Sequence, residues 1–253
     1  MTLRAFELWL FSARPEHLRA AAGLVDGVIV DLEQPLGKRL RQRQYDTEVN
    51  QLDPHALEQA AHLLRGTDCR LSCRVDVASL DEDTLTRLLA TGTSELILPM
   101  VTSPAEVELA LRRVNARAHV SIMVETVQAV ACLADLAKLP IARAYVGLHD
   151  LSIARQTELF APFVDGTLRQ VSDVLNARHI PWSAAGLTIP GGGSPIANGQ
   201  LLAALLSWGA RFGILRRTFF REVEVAQWPA GLRAIRADIA KRLEEQHDSH
   251  RHS

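Results

Sequence analysis

The sequence predicts a single α/β domain with the architecture of a (β/α)8 or TIM barrel. The length of 253 residues suits one large domain. Eight strand-like segments alternate with helix-like segments, as such a barrel requires. A doubly wound open sheet would usually have fewer strands and an early glycine fingerprint, which this sequence lacks. We predict the barrel over residues 1–228, a C-terminal helix over residues 229–246 and a disordered tail over residues 247–253.

The strand-like segments are short and rich in apolar and β-branched residues, as strands of globular proteins usually are. They are residues 6–11, 27–32, 70–75, 95–99, 119–124, 144–147, 181–185 and 212–215. Their carboxyl ends carry polar residues, and function in such a barrel collects at those ends. The eight segments therefore predict both the fold and the edge on which to look for a site.

The helix-like segments carry helical periodicity or helix-start signals. They are residues 15–24, 54–65, 81–90, 103–114, 126–138, 163–178, 196–208 and 229–245. Ser103 is placed as an N-cap before Pro104, and the helix over residues 81–90 opens on acidic residues. The polar residues 34–52 are interpreted as a long loop.

Composition excludes several classes of partner. The formal net charge of −1 and the pI near 6.8 give no reason to expect nucleic acid or an anionic membrane surface. No apolar run reaches the roughly 18–20 residues that span a bilayer, and the N-terminal residues lack the layout of a signal peptide. The three cysteines form no CxxC pair and are expected as free thiols. We expect a cytoplasmic protein.

Two carboxylates suggest a metal site. Glu125 follows the fifth strand-like segment and Asp150 follows the sixth, a separation of 150 − 125 = 25 residues. That spacing is about one β-α-β step, so parallel neighbouring strands would place both acids at the same edge. Carboxylate oxygens are ligands for a hard divalent cation, with open positions left for water and substrate.

Further polar residues stand at the same predicted edge. Arg74 ends the third strand, where a guanidinium can hold a carboxylate and stabilise an enolate oxygen. The alternative is an ion pair with Asp76 or Glu33 that joins two loops. Asp31, beside Glu33 after the second strand, is a candidate substrate contact.

Three other positions are predicted to contact the substrate. His149 could relay a proton because its ordinary pKa is near neutrality, or it could be a hydrogen-bonded loop residue. Ser152 lies in the same segment. Gly191 and Gly192 belong to a glycine run whose backbone N–H groups could bind an anion, although a flexible turn would have the same composition.

The strand-end motifs together resemble the HpcH/HpaI aldolase and citrate-lyase β-subunit family over roughly residues 5–220. They are Val30-Asp-Leu-Glu33, Cys73-Arg-Val, Leu96-Ile-Leu-Pro-Met100, Ile122-Met-Val-Glu-Thr126 and Gly147-Leu-His-Asp-Leu-Ser152. The resemblance implies a phosphoenolpyruvate/pyruvate-type barrel, usually oligomeric, in which Glu125 and Asp150 hold Mg²⁺ or Mn²⁺. It further implies chemistry on a C–C bond next to a 2-oxo acid or an acyl-CoA thioester, with Arg74 contacting the substrate carboxylate and the enolate oxygen.

The sequence departs from the family at the proton-transfer group. Gln34 follows Glu33 where citrate-lyase-like members tend to carry Asp, and no histidine stands between His17 and His55 where the 2-oxo-acid aldolases tend to have one. Glu33, or a water on the metal, is therefore the predicted proton carrier.

These observations predict a divalent-metal-dependent carbon–carbon lyase or aldolase that acts on a 2-oxo acid through a pyruvate- or oxaloacetate-type enolate. One alternative is an acyl-CoA lyase or condensing enzyme on the same barrel. The other is a catalytically silent barrel that serves as a binding or assembly subunit. A homo-oligomer is expected, and the C-terminal helix could pack on its own barrel or exchange between subunits, since its apolar stripe fits either.

Overall fold

The computed structural model describes residues 6–33, 55–215 and 217–251, which contain eight parallel strands with helices between them. The strands are β1 (Glu7–Phe11), β2 (Gly27–Asp31), β3 (Arg70–Arg74), β4 (Glu95–Leu98), β5 (His119–Val124), β6 (Ala144–Val146), β7 (Trp182–Ala184) and β8 (Phe212–Leu215). Each strand-like segment of the sequence contains one of them. The strand prediction is confirmed, apart from one or two residues at the ends.

The strands pair in the order β7-β6-β5-β4-β3-β2-β1-β8. The two outer strands of this order approach each other as well. Leu187, just after β7, forms a parallel bridge with Leu215 of β8, and the Arg211 N–H donates to the Trp182 carbonyl at 3.0 Å. The sheet is thus a nearly closed barrel, and the predicted fold class is confirmed.

Helices cover the outside of the barrel. They are α1 (Pro15–Ala21), α2 (Ala56–Leu64), α3 (Glu82–Ala90), α4 (Pro104–Val114), α5 (Val127–Ala131), α6 (Leu133–Leu136), α7 (Leu148–Arg155), α8 (Ala161–Val164), α9 (Thr167–Ala177), α10 (Asn198–Ser207), α11 (Arg217–Glu222) and α12 (Trp228–Arg251). The predicted acidic start of α3 is confirmed, since the Asp81 carboxylate accepts a hydrogen bond from the Thr84 N–H at 2.8 Å. Two 3₁₀ turns, Val77–Ser79 and Val225–Gln227, complete the described elements.

The strands alternate between two apolar layers, as their pleat requires. One set of side chains packs outward against the helices, and the other fills the inside of the barrel. The inner set comprises Trp9, Ile29, Ile97, Met123, Tyr145, Phe212 and Ile214, each at most 6% exposed. Burial of one such side chain stabilises the fold by about 1.5–3 kcal/mol. The barrel interior is therefore a packed core that supports its open end.

Several helices differ from the sequence expectations. Residues 126–138 form two short helices that meet at Cys132, whose φ of −101° departs from helical geometry. α7 was not predicted, because its sequence is interrupted by polar residues at buried positions. The predicted disordered tail is wrong over residues 247–251, which continue α12. The predicted loop over residues 34–52 lies outside the described residues.

The C-terminal helix α12 packs on its own chain. Leu232 and Ile235 are fully buried and Ile239 is 5% exposed, on a face that contacts α1 and α10. Arg236 anchors the helix by donating to the Leu24 carbonyl at 2.8 Å. Exchange between subunits stays a prediction. None of the helices in the described part of the chain has the length and apolarity to traverse a bilayer.

Candidate active site

Arg74 is the centre of the site at the carboxyl ends of the strands, which we call the mouth of the barrel. Its side chain is 1% exposed and bonded to two carboxylates. Nε donates to Asp31 Oδ1 at 2.9 Å and Nη2 donates to Asp31 Oδ2 at 2.6 Å. Nη2 is also 2.8 Å from Glu33 Oε2, and the Glu33 side chain is 1% exposed. The ion pair between Arg74 and Glu33, which the sequence offered as an alternative, is present, and Asp31 is a second carboxylate partner of Arg74.

The two carboxylates fix the electrostatic state and the orientation of Arg74. Burial alone would lower its pKa, but the charges of Asp31 and Glu33 outweigh burial and raise the pKa above its ordinary value. The remaining edge of the guanidinium, Nη1, lies 3.6 Å from the Met123 sulfur, which is a weak acceptor. The Phe11 ring lies 4.9 Å from the guanidinium carbon. Arg74 is therefore a fully charged group held rigidly at the mouth.

Glu125 directly follows β5 and is 1% exposed. Its Oε1 accepts a hydrogen bond from the Met100 N–H at 3.0 Å. Met100 has a φ of 52°, a left-handed conformation that is uncommon for a residue with a side chain and that often marks functional sites. Glu125 Oε2 lies against Gly147, where a Cβ atom would overlap it. Two backbone segments thus position the Glu125 carboxylate.

Asp150 lies in the first turn of α7, three residues after Gly147, and is 8% exposed. Burial raises the pKa of Glu125 to about 7, and the charge of Asp150 adds to this effect, while Arg74 and the Met100 N–H act in the opposite direction. The two carboxylates are therefore close enough to repel each other. The structure brings together the pair that the strand spacing indicates.

The donor set suits a hard divalent cation. The charges of Asp31, Glu33 and Glu125 act on Arg74, and the charge of Asp150 acts on Glu125. Glu125 and Asp150 repel each other, and a bound cation would relieve that repulsion. In the described ranges no three His, Cys, Asp or Glu side chains cluster at metal-binding distances. The assignment of Glu125 and Asp150 as the ligands stays a prediction.

His149 and Ser152 lie on the same turn of helix as Asp150. The Ser152 hydroxyl donates to the His149 carbonyl at 2.8 Å, a bond within the helix. His149 is partly exposed beside the buried Asp150. Both residues are placed near the carboxylate pair, and their contacts with a substrate stay predictions.

The glycine run lies in the loop between β7 and α10. Gly191 and Gly193 have positive φ values of 82° and 95°, which favour glycine. The Gly193 N–H donates to the Glu222 carboxylate at 2.9 Å. An acid of the chain itself is thus bound by the loop in which Gly191 and Gly192 were expected to bind a substrate anion.

Two residues of the site have roles that sequence reasoning did not assign to them. Met100 supplies the N–H that holds Glu125. Thr126 is 4% exposed, caps α5 by accepting from the Ala129 N–H at 2.9 Å and donates to the Val101 carbonyl at 2.6 Å. A threonine directly before a helix is a recognisable N-cap signal, whereas the Met100 contact has no local signal.

Comparison with known proteins places the fold. No family model and no curated protein sequence matches the chain. An HpcH/HpaI aldolase from Desulfitobacterium hafniense DCB-2 has a TM-score of 0.61 at 15% identity, over 83% of this chain and 86% of that one. A citrate lyase from Burkholderia xenovorans LB400 has a TM-score of 0.62 at 15% identity, over 94% and 78%. Macrophomate synthase has a TM-score of 0.59 at 15% identity, over 98% and 86%.

These similarities are at the level of the fold. The chain shares its barrel with HpcH/HpaI aldolases and citrate lyases, so the fold that the sequence resemblance implied is confirmed.

Proposed function

We propose that the protein is a carbon–carbon lyase or aldolase of the HpcH/HpaI and citrate lyase type, acting on a 2-oxo acid with the help of a divalent cation. The observation that carries this proposal is the buried pair Glu125 and Asp150 beside the rigidly held Arg74. The shared barrel of aldolases and citrate lyases supports the same reaction class.

Glu125 and Asp150 would hold the cation, Mg²⁺ or Mn²⁺ by the hardness of their oxygen ligands. When bound, such an ion supplies Lewis-acid stabilisation of the negative charge that develops on the substrate oxygens. Met100 and Gly147 set the position of the Glu125 carboxylate, so its oxygens need little reorganisation when the substrate binds.

Arg74 contributes a fixed positive charge. Because Asp31 accepts hydrogen bonds from Nε and Nη2, and Glu33 Oε2 lies 2.8 Å from Nη2, the guanidinium cannot turn away from the mouth. A 2-oxo acid bound beside it would gain stabilisation of its carboxylate and of the enolate oxygen in a site from which water is largely excluded.

Glu33 is the proposed proton carrier. In the cleavage of a 4-hydroxy-2-oxo acid, the hydroxyl proton would pass to Glu33 as the C3–C4 bond breaks. The bonding electrons would form the pyruvate enolate, the aldehyde would leave, and the proton would return to C3. Condensation is the reverse of these steps. The buried contact between Glu33 and Arg74 keeps Glu33 close to the enolate, whose negative charge is neutralised when the proton returns to C3.

The alternatives make different demands. An acyl-CoA substrate would use the same enolate chemistry and stays a prediction, as do the homo-oligomer and the cytoplasmic location. The stability of the fold argues against a catalytically silent subunit. Burial of Glu125 beside Asp150 raises the pKa of Glu125, and this weakens the fold at neutral pH. A scaffold would gain nothing from that arrangement.

A release assay tests the proposal. Pyruvate and oxaloacetate would be measured against a panel of 4-hydroxy-2-oxo acids and 3-hydroxyacyl-CoA thioesters, with Mg²⁺, with Mn²⁺ and with a chelator. We expect metal-dependent release that Glu125→Ala lowers by on the order of 10²–10³-fold. Glu108→Ala, on the exposed face of α4, is the matched control and should behave as wild type. Full activity of Glu125→Ala would refute the mechanism.

A further inference from the structure

The carboxylate of Glu222 is bound by the glycine loop on both of its oxygens. Oε2 accepts a hydrogen bond from the Thr188 hydroxyl at 2.6 Å. Oε1 accepts one from the Gly193 N–H at 2.9 Å. A hydroxyl and a backbone N–H that converge on two oxygens of one anion are the donors that phosphate-binding loops use.

The loop is shaped around this carboxylate. Thr188 is 1% exposed, and its N–H donates to Asn198 Oδ1 at 2.9 Å. The Asn198 N–H in turn donates to the Gly192 carbonyl at 2.8 Å, which folds the loop back on the start of α10. A Cβ atom on Gly192 would overlap Glu222 Oε2. Gly192 is therefore needed for the close approach of Glu222 to the loop.

The position of this contact in the fold gives it a functional meaning. The glycine loop follows β7, and Glu222 ends α11, the short helix that follows β8. In (β/α)8 barrels the loops after strands 7 and 8 frequently form a site for a substrate phosphate. In this chain the donors of that region are taken by an acid from the protein itself. A phosphate would have to displace a carboxylate and would meet its negative charge.

We propose that Glu222 is a specificity-determining residue, an internal anion that occupies the place of a substrate phosphate and restricts the enzyme to unphosphorylated substrates. This inference rests on the proposed function for its catalytic readout and deepens it by naming the substrate class. The expected aldehyde or oxo-acid partner is a small, unphosphorylated molecule.

Calorimetric titration with inorganic phosphate tests the loop without any turnover. The wild-type protein should bind phosphate only weakly, and Glu222→Ala, which vacates the donors of Thr188 and Gly193, should bind it at least about tenfold more tightly. Glu224→Ala removes an exposed acid two residues further along the chain and should match wild type. Equal phosphate binding by wild type and Glu222→Ala would overturn the proposal.

Glu222→Gln serves if the alanine variant does not fold. The amide keeps an acceptor for Thr188 and loses the charge, so phosphate binding should still increase over wild type. No gain in this variant would also overturn the proposal.

The catalytic readout compares glyceraldehyde with glyceraldehyde 3-phosphate as partners of pyruvate in the condensation direction. Glu222→Ala should raise the kcat/KM ratio of the phosphorylated over the unphosphorylated aldehyde by about tenfold, while Glu224→Ala should leave it unchanged. An unchanged ratio in Glu222→Ala would count against the proposal. Inactivity with both aldehydes would count against the proposed function, and the phosphate titration would then decide on Glu222.

Discussion

The barrel carries a charged layer at each end, and the carboxylates of the two layers have different partners. At the amino ends of the strands, Glu7 and Glu95 face Arg70 and Arg143, and we call these four residues the lower layer. At the mouth, Asp31 and Glu33 are paired with Arg74. Burial and the charge of Asp150 raise the pKa of Glu125.

The lower layer is a closed network. Arg143 Nη1 is 2.8 Å from Glu7 Oε2 and Arg143 Nε is 2.9 Å from Glu95 Oε1. Arg70 Nη2 is 2.6 Å from Glu7 Oε2, and the Ser121 hydroxyl donates to Glu95 at 2.5 Å. Each carboxylate has a cation and a neutral donor, since the Trp9 N–H also donates to Glu7 at 2.9 Å.

The pKa shifts of two glutamates express the difference. Burial would raise the pKa of Glu7, but the hydrogen bonds from Arg143 and Trp9 and the nearby positive charges hold it below its ordinary value. Burial and Asp150 raise the pKa of Glu125 to about 7. A carboxylate whose pKa is lowered stabilises the fold at neutral pH, and one whose pKa is raised weakens it. The ionised carboxylate of Glu7 therefore stabilises the fold at neutral pH, whereas that of Glu125 weakens it.

The largest expected effect is the loss of Arg143 from the lower layer. Arg143→Met leaves Glu95, whose side chain is 4% exposed, without its cation. The free energy of unfolding should fall by about 3–5 kcal/mol, because a buried charge loses its partner. Urea denaturation measures this change, and turnover per folded molecule should be retained.

Arg112→Met is the matched control for this variant. Arg112 is exposed on α4 and lies 3.8 Å from Glu108. Its loss should cost less than about 1 kcal/mol. If Arg143→Met were no more harmful than Arg112→Met, the lower layer would not be structural.

The second effect is a gain in stability at the mouth. Glu125 has a pKa of about 7 in the folded chain against 4.5 for the free side chain. The folded state thus binds more protons between these values, and the stability contributed by this group is complete below pH 4.5 and lost as the pH rises through about 7. Glu125→Gln should remove that loss and stabilise the metal-free protein at pH 8 by up to about 3 kcal/mol, while turnover falls as it does in Glu125→Ala.

Thermal unfolding across this pH range gives the measurement. Glu7→Gln should show the opposite sign, because the lowered pKa of Glu7 stabilises the fold at neutral pH and that contribution is lost on acidification. A Glu125→Gln variant with the same pH profile as wild type would show that the mouth is not strained by its acids.

The fold and the carboxylate pair could be predicted because their signals are local in the sequence. Apolar runs mark the strands, and a polar residue directly after a run marks the mouth. Glu125 and Asp150 follow consecutive strands, so the topology alone makes them neighbours. The role of Arg74 as an ion-pair partner was also accessible, since Glu33 follows the end of the preceding strand by two residues.

The contacts that tune the site could not be predicted from the sequence. The Met100 N–H reaches Glu125 across 25 residues, and Thr188 reaches Glu222 across 34. Neither contact leaves a periodic or compositional signal. α7 was missed because Asp150 and Ser152 are buried by tertiary packing that helix patterns do not show. The extension of α12 to Arg251 is consistent with its exposed ion pairs, such as Lys241 with Glu245.

The smallest expected effect is the pH dependence of metal affinity. A cation at Glu125 and Asp150 must displace the proton that the raised pKa of Glu125 retains. With a pKa of about 7, the ionised fraction of Glu125 rises about tenfold between pH 6 and pH 8, so the affinity for Mn²⁺ should rise by about the same factor. Calorimetry in buffers of different ionisation enthalpy should detect proton release at pH 6.

Glu106→Gln is the matched control. Glu106 lies on the first turn of α4, accepts hydrogen bonds from Thr102 and is not one of the two proposed metal ligands. It should keep the tenfold rise, whereas Glu125→Gln should abolish it along with most of the affinity. Mn²⁺ binding of equal strength at both pH values would mean that the cation does not compete with the Glu125 proton. The raised pKa of Glu125 would then be unconnected with metal binding, and the contrast with the lower layer would lose its functional meaning.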